Sequence, residues 1–154
     1  MKVYLDNAAT TPVAPEVFEA MAPILKNDFG NPSSTHLFGR SSKAIIENSR
    51  RAIAKHILCQ PSEIIFTSGG TEADNMAIYT SVTELGVKRI ITSRIEHHAV
   101  GHTVSHIHDK YAVELVYVDI DRAGNIDLHH LSTILADTSE KTLVTLMHAN
   151  NELG

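Results

Sequence analysis

The sequence predicts an α/β fold in which helices flank a mostly parallel sheet. Three observations predict it. Short apolar runs rich in β-branched residues, at 64–67, 89–93, 113–120 and 142–148, read as strands. Longer stretches between them repeat apolar residues at three- and four-residue spacing, as amphipathic helices do. Strands joined through helix-length connections pair in parallel, since only antiparallel neighbours can be joined by a tight turn.

Residues 2–5 make a short extended start. Asp6-Asn7-Ala8-Ala9-Thr10-Thr11-Pro12 is small and polar: either a loop whose backbone and hydroxyls face a ligand, or a plain connector. Residues 15–26 read as an amphipathic helix with Val17, Phe18, Met21, Ile24 and Leu25 on one stripe. Phe29-Gly30-Asn31-Pro32-Ser33-Ser34-Thr35-His36 is dense in turn formers and reads as a loop. Residues 41–58 read as a long helix, with Ile46, Ile53 and Ile57 inward and Glu47, Arg50, Arg51 and Lys55 outward. Cys59 sits at its end with no activating neighbour in sequence, so it reads as a structural or idle thiol.

The stretch from Ile64 to Asn75 organises the rest. Residues 64–67 read as a buried strand, Ser68-Gly69-Gly70 as a break, and 71–82 as a helix with Ala73, Met76, Ala77 and Thr80 on one face. Thr71 is a good N-cap residue, and Asp74 three positions on makes a weak capping box. A strand, a glycine turn and a helix N-terminus direct N–H groups and the positive dipole end at one spot. Glycines let an anion approach the backbone, and nearby hydroxyls can donate to it. The stretch is neither a Walker loop nor G-x-G-x-x-G. Spacing alone leaves open a phosphate cradle or an ordinary capped helix.

Beyond it, 89–93 is a strand, a helix starts at His97 or His98 and ends near Tyr111, and 113–120 is a strand. Residues 121–125 form a turn around Gly124. Residues 128–136 form a short helix with Asp127 as N-cap, and 142–148 form the last strand. Ligands of such sheets sit beyond the carboxyl ends of the strands. The places to inspect are therefore 68–71, 94–98, 119–121 and 148–152.

The chain has 154 residues and a formal net charge of −5, which argues against nonspecific nucleic-acid binding. No apolar run approaches a membrane span, and the start lacks the apolar core of a signal peptide. One cysteine excludes an internal disulfide framework. Together these read as a soluble cytoplasmic protein that binds neither membrane nor nucleic acid. His98, His102 and His106 fall on one helix face, but no H-E-x-x-H pattern accompanies them. They read as a solvated face, and no metal is expected. His97 differs by place: directly after a strand, a histidine can stack on a flat ring or move a proton. It can equally be a helix-starting residue with no role.

Five stretches together resemble a known family. They are Tyr4-Leu5-Asp6-Asn7-Ala8-Ala9-Thr10-Thr11-Pro12, Phe29-Gly30-Asn31-Pro32-Ser33-Ser34, Phe66-Thr67-Ser68-Gly69-Gly70-Thr71-Glu72-Ala73-Asp74-Asn75, Glu96-His97-His98-Ala99-Val100 and Met147-His148-Ala149-Asn150-Asn151-Glu152-Leu153-Gly154. In this order they resemble the cysteine desulfurases of iron–sulfur cluster assembly, pyridoxal 5'-phosphate (PLP) enzymes of the class V aminotransferases. The resemblance implies the large PLP-binding domain of fold-type I aminotransferases, with an extended segment and active-site loop over 1–14 and the domain's N-terminal part over 15–154. It implies that Gly70 and Thr71 hold the cofactor phosphate, that His97 lies over the pyridine ring and assists proton transfer, and that Asn151 donates to the phenolic oxygen. Asn7 to Thr10 would lie near the substrate. The implied reaction takes sulfur from L-cysteine, leaving L-alanine and an enzyme-bound persulfide. A homodimer and an iron–sulfur scaffold, sulfur-carrier or thiolation partner are implied with it.

The chain ends at Gly154, short of half the family's usual length. The family's cofactor-bearing lysine, the aspartate facing the pyridine nitrogen, a glutamine, the arginine for the substrate carboxylate and the mobile-loop cysteine all fall beyond that point. None of the lysines here stands in the family's lysine context, and Cys59 is not at the nucleophile's place. An apolar surface and strand edges left open are expected. The expectation is a larger unit, completed by a C-terminal polypeptide, or a truncated gene. Two alternatives stay open: another class V enzyme such as a selenocysteine lyase or aminotransferase, and a non-catalytic chain that binds PLP weakly or pairs with a full-length relative.

Overall fold

A computed structural model describes residues 1–153. The chain forms two compact units, residues 1–66 and the residues from Thr67 on.

The first unit holds helices α1 (Pro15–Asn27) and α2 (Leu37–His56) and a 3-10 turn, Pro61–Glu63. Pro15 starts α1, where its missing N–H costs nothing. The apolar stripe of α1 forms as expected but buries no residue. α2 starts earlier than expected because His36 caps it, Nδ1 accepting from the Gly39 N–H at 3.4 Å. The loop before it is pressed on this first turn. A Cβ on Gly30 would meet the Phe38 carbonyl oxygen at 2.3 Å, and one on Gly39 the Ser34 carbonyl oxygen at 2.3 Å. Only glycine fits at both places. The rings of Phe29 and Phe38 stack at 5.4 Å, and Asp28 accepts from the Ser41 hydroxyl at 2.8 Å.

Two expectations for this unit are corrected. Ile46, Ile53 and Ile57 are not inward: they are 36%, 40% and 61% exposed, and the helix buries Gly39, Ser42 and Ala54 instead. Residues 64–67 do not form a buried strand. Ile65 and Phe66 are 63% and 48% exposed, and no ladder includes them. The backbone at Ile64 is extended and is held by a side chain: the Arg50 guanidinium donates to the Ile64 carbonyl and covers the Phe66 ring at 4.9 Å. A carbonyl taken by arginine, with no strand beside it to exchange bonds, stays outside a sheet.

The second unit contains α3 (Gly70–Thr83), β1 (Arg89–Thr92), α4 (His98–Tyr111), β2 (Glu114–Tyr117), α5 (Leu128–Leu135) and β3 (Thr142–Val144). The sheet is parallel with β1 in the centre, in the order β2-β1-β3. Ile90 pairs with Leu115 on one side and Leu143 on the other. These three lie on the face that packs against Ile78, Tyr79 and Val82 of α3 and Val100, Val104 and Ile107 of α4. Ile91 points to the other face and is also closed to solvent. A central strand buried on both faces reads as continuous apolar sequence, as Ile90-Ile91 does. At its start Arg89 is buried and donates to Thr142 Oγ1 and Asp137 Oδ2, at 2.9 and 2.8 Å, so its charge is paired.

The expected cap and turn of the later elements are present. Asp127 Oδ1 accepts from the His130 N–H at 2.9 Å and starts α5. Gly124, with φ +86, closes the 121–125 turn, where Asp121 accepts from Ala123 and Asn125. Among the described residues, no helix is long and apolar enough to cross a membrane.

Candidate functional site

The strand exits of a parallel sheet share one edge. β1 runs into Ser93, Arg94, Ile95 and Glu96, then His97; β3 runs into residues 145–153. Side chains sew these exits together. Glu96 Oε1 accepts from the Ser93 hydroxyl at 2.7 Å and the Met147 N–H at 2.9 Å. Asn150 Nδ2 donates to the Ile95 carbonyl at 2.9 Å, while its Oδ1 accepts from the N–H groups of Glu152 and Leu153 at 2.8 and 3.0 Å. The last segment therefore folds over the loop that carries His97, and residues 95–98 and 150–153 line one hollow. His97 and Asn151 share it.

His97 is the N-cap of α4, with Nδ1 accepting from the Ala99 N–H at 3.1 Å. An accepting Nδ1 carries a lone pair, so the neutral ring holds its proton on Nε2. The imidazole is exposed.

At the start of α3 the expected cap is corrected. The helix begins at Gly70, with Gly69 as N-cap and no side-chain cap from Thr71. Glu72 does the work instead: its carboxylate accepts from the Ser68 N–H and hydroxyl, both at 2.6 Å. These two bonds hold the Glu72 carboxyl below the usual carboxylate range. A glycine N-cap has no side chain to offer, so a first-turn carboxylate reaches back past it. Thr71 then stands inside the first turn. Among the described residues neither its hydroxyl nor the N–H groups of Gly70 and Thr71 have a partner. A Cβ on Gly69 or Gly70 would meet nothing within 4 Å, so the space before these donors is open.

Thr71 and His97 come together. A second hollow is lined by Thr71 and Asn75 from α3 and by His97, His98, His102 and Thr103. The Thr103 hydroxyl donates to Asn75 Oδ1 across it. His97 is therefore common to two hollows, one shared with Thr71 and one with Asn151. Gly70 adjoins Thr71 in the same first turn. Among the described residues, no lysine lines either hollow. Asn7 to Thr10 belong to the first unit, where the Ala9 and Thr10 N–H groups turn onto the Asp6 carbonyl at 3.2 and 3.4 Å. Cys59 also lies there, half-buried, its thiol 3.5 Å from the Gln60 carbonyl. The rings of His98 and His102 lie 5.2 Å apart, and among the described residues no group of three or more His, Cys, Asp or Glu is placed to hold a metal.

Residues 3–154 match the family "Aminotransferase class-V". The chain belongs to the class-V aminotransferase family. Within that family it is 50% identical over 155 residues to the cysteine desulfurase IscS of Dictyoglomus turgidum, covering 99% of this chain and 39% of that protein. Its fold superposes on a NifS-like protein with a TM-score of 0.87 and 36% identity, covering 98% of this chain and 41% of the other. It superposes on SspA, solved in complex with cysteine, with a TM-score of 0.79 and 32% identity, covering 94% and 42%. The chain thus spans about two fifths of the length of these class-V relatives. Its parallel three-stranded sheet with flanking helices is part of their fold.

PLP, the cofactor of cysteine desulfurases in this family, fits the donors present. An anion needs N–H and hydroxyl donors with open approach, and the first turn of α3 offers these at Gly70 and Thr71. A flat ring needs a flat neighbour, and the exposed His97 imidazole is in the adjoining wall. Sequence reading passed over Asn75, Thr103, Glu96 and Asn150 as functional positions. Three of them lie inside the stretches that carried the family resemblance; Thr103 lies in none, and only packing brings it to the site.

Proposed function

We propose that this chain forms part of the cofactor site of a PLP-dependent cysteine desulfurase. The enzyme converts L-cysteine and a protein thiol into L-alanine and a protein-bound persulfide, for iron–sulfur cluster or thiolation pathways. The carrying observation is the convergence of Thr71, His97 and Asn151 on two hollows that meet at His97. The desulfurase relatives, and SspA with its bound cysteine, support the substrate. The activity belongs to a unit that also contains the remaining three fifths of those relatives' length. We place that unit in the cytoplasm, as a homodimer serving a scaffold or sulfur-carrier protein. Residues 1–14 would supply the loop near the substrate, and 15–154 the N-terminal part of the PLP domain.

Gly70 and Thr71 bind the phosphate through backbone N–H groups, and Thr71 adds its hydroxyl. The α3 dipole favours the anion there. His97 would stack on the ring, and its Nε2 would hold or pass a proton, because Nδ1 is occupied by the helix cap. Asn151 would donate to the phenolic oxygen and help orient the ring. When bound, PLP supplies the electron sink for cleaving the carbon–sulfur bond.

The test is a PLP titration of the chain and its variants, read by absorbance and fluorescence. Thr71→Val should weaken binding, and His97→Ala should alter the cofactor spectrum. Wild-type affinity and spectrum in both variants would remove the reading. The lysine-free lining of both hollows favours a second reading, a chain that binds PLP without holding it covalently. Borohydride would then fix no pyridoxyl group to its lysines. Catalysis of cysteine, selenocysteine or amino-group transfer by the complete unit separates the class-V alternatives.

A further inference from the structure

We propose that Glu96 is a positioning residue: its carboxylate clamps the loop carrying His97 to the segment carrying Asn151, and so sets the spacing between those two side chains. The proposal rests on the reading of His97 and Asn151 as ligand-facing.

One oxygen does the clamping. Glu96 Oε1 takes the Ser93 hydroxyl at 2.7 Å from the exit of β1, and the Met147 N–H at 2.9 Å from the exit of β3. Ser93 is only 3% exposed, so its end of the clamp is anchored in the sheet. Glu96 directly precedes His97, and Met147 lies four residues before Asn151. A second bond, from Asn150 Nδ2 to the Ile95 carbonyl at 2.9 Å, spans the same two segments one residue away. His97 itself is held to the start of α4 through Nδ1, so parting of the two segments would carry its ring away from Asn151. An acceptor at the Glu96 position must reach two donors at once. Glutamine keeps both reach and acceptor. Aspartate keeps the charge but is one methylene shorter.

The experiment is amide hydrogen exchange at Met147, with NMR of the His97 and Asn151 side chains, on the chain and on Glu96→Asp, Glu96→Gln and Ser93→Ala. Glu96→Asp should speed exchange at Met147 by about tenfold or more, as loss of a bond to a charged acceptor does. The His97 and Asn151 resonances should move together with it. Glu96→Gln should match the wild type. Ser93→Ala, which removes one donor and keeps the fold, should give a smaller change of the same kind. Unchanged exchange and resonances in Glu96→Asp overturn the clamp, and so does a Glu96→Gln variant that behaves like Glu96→Asp. Added PLP separates the two readings. If the wild-type His97 and Asn151 resonances respond, Glu96→Asp should bind PLP several-fold more weakly and Glu96→Gln equally well; equal affinity in all three overturns the clamp. If they do not respond, the cofactor reading falls, and exchange at Met147 still decides the clamp.

Discussion

The Thr103 hydroxyl donates to Asn75 Oδ1 and bridges α4 to α3 on the wall of the hollow that Thr71 and His97 share. Thr103 is 8% exposed, so water cannot easily replace it. Thr103→Val keeps the shape and leaves Asn75 Oδ1 without its donor, which costs about 1–3 kcal/mol. The urea midpoint should fall with an unchanged slope. PLP affinity should fall as well, and Thr103→Ser should restore both. A valine variant as stable and as tight as the wild type would show that the bridge holds neither helix in place.

Gly70 separates stability from anion binding. A Cβ there meets nothing, and alanine suits a helix better than glycine. Gly70→Ala should leave the chain as stable as before, or more stable by up to about 1 kcal/mol. The methyl would sit beside the N–H groups of the first turn, so affinity for PLP and for inorganic phosphate should drop. Unchanged affinity would mean that the anion approaches elsewhere.

α4 ends on a strained residue. Ala112 has φ +52, in the left-handed region, where glycine is the usual helix terminator. Ala112→Gly relieves the clash between Cβ and backbone and should stabilise the chain by about 0.5–1 kcal/mol, after the entropy cost of glycine. Thermal or urea unfolding measures it; a destabilised variant would contradict the strain.

Acid should act on the joint between Asp137 and the sheet. The Ser139 hydroxyl and N–H, with the Arg89 guanidinium, hold the Asp137 carboxyl down to about 2 from the ordinary 3.8. The folded value is the lower one, so folding favours the ionised form. That contribution is complete above the unfolded value of 3.8 and is lost as pH falls through about 2. Ser139→Ala should raise the Asp137 value toward the ordinary one and flatten the acid loss of stability between those limits. NMR titration of the Asp137 carboxyl checks it; the same midpoint in both proteins refutes the assignment.

Where sequence and structure agree, the cause is local. The 97–98 helix start was legible because a histidine followed by an apolar 3.6-residue repeat is a self-contained signal. Asp127 as a cap and Gly124 as a turn residue were legible for the same reason. The three paired strands were visible as apolar runs, though the structure trims each of them. Residues 64–67 carried the same signal and formed no strand, because a strand depends on a neighbour that exchanges hydrogen bonds with it. Ile46, Ile53 and Ile57 followed a correct helical pattern, but a pattern marks an apolar stripe without supplying what covers it.

The sequence by itself determined the α/β class, the alternation that makes the sheet parallel, and the exits of the strands as the place to look. Those follow from period, capping and chain connectivity, which are properties of neighbouring residues. Only the tertiary structure decided that Glu96 reaches Met147, that Thr103 reaches Asn75, that Glu72 rather than Thr71 closes the first turn of α3, and that His97 stands in both hollows. The first two are contacts between residues far apart in sequence, chosen by how α3 and α4 pack on the sheet and by which donors lie within reach when they do. The choice of Glu72 over Thr71, though local, turns on backbone and side-chain geometry that spacing does not specify.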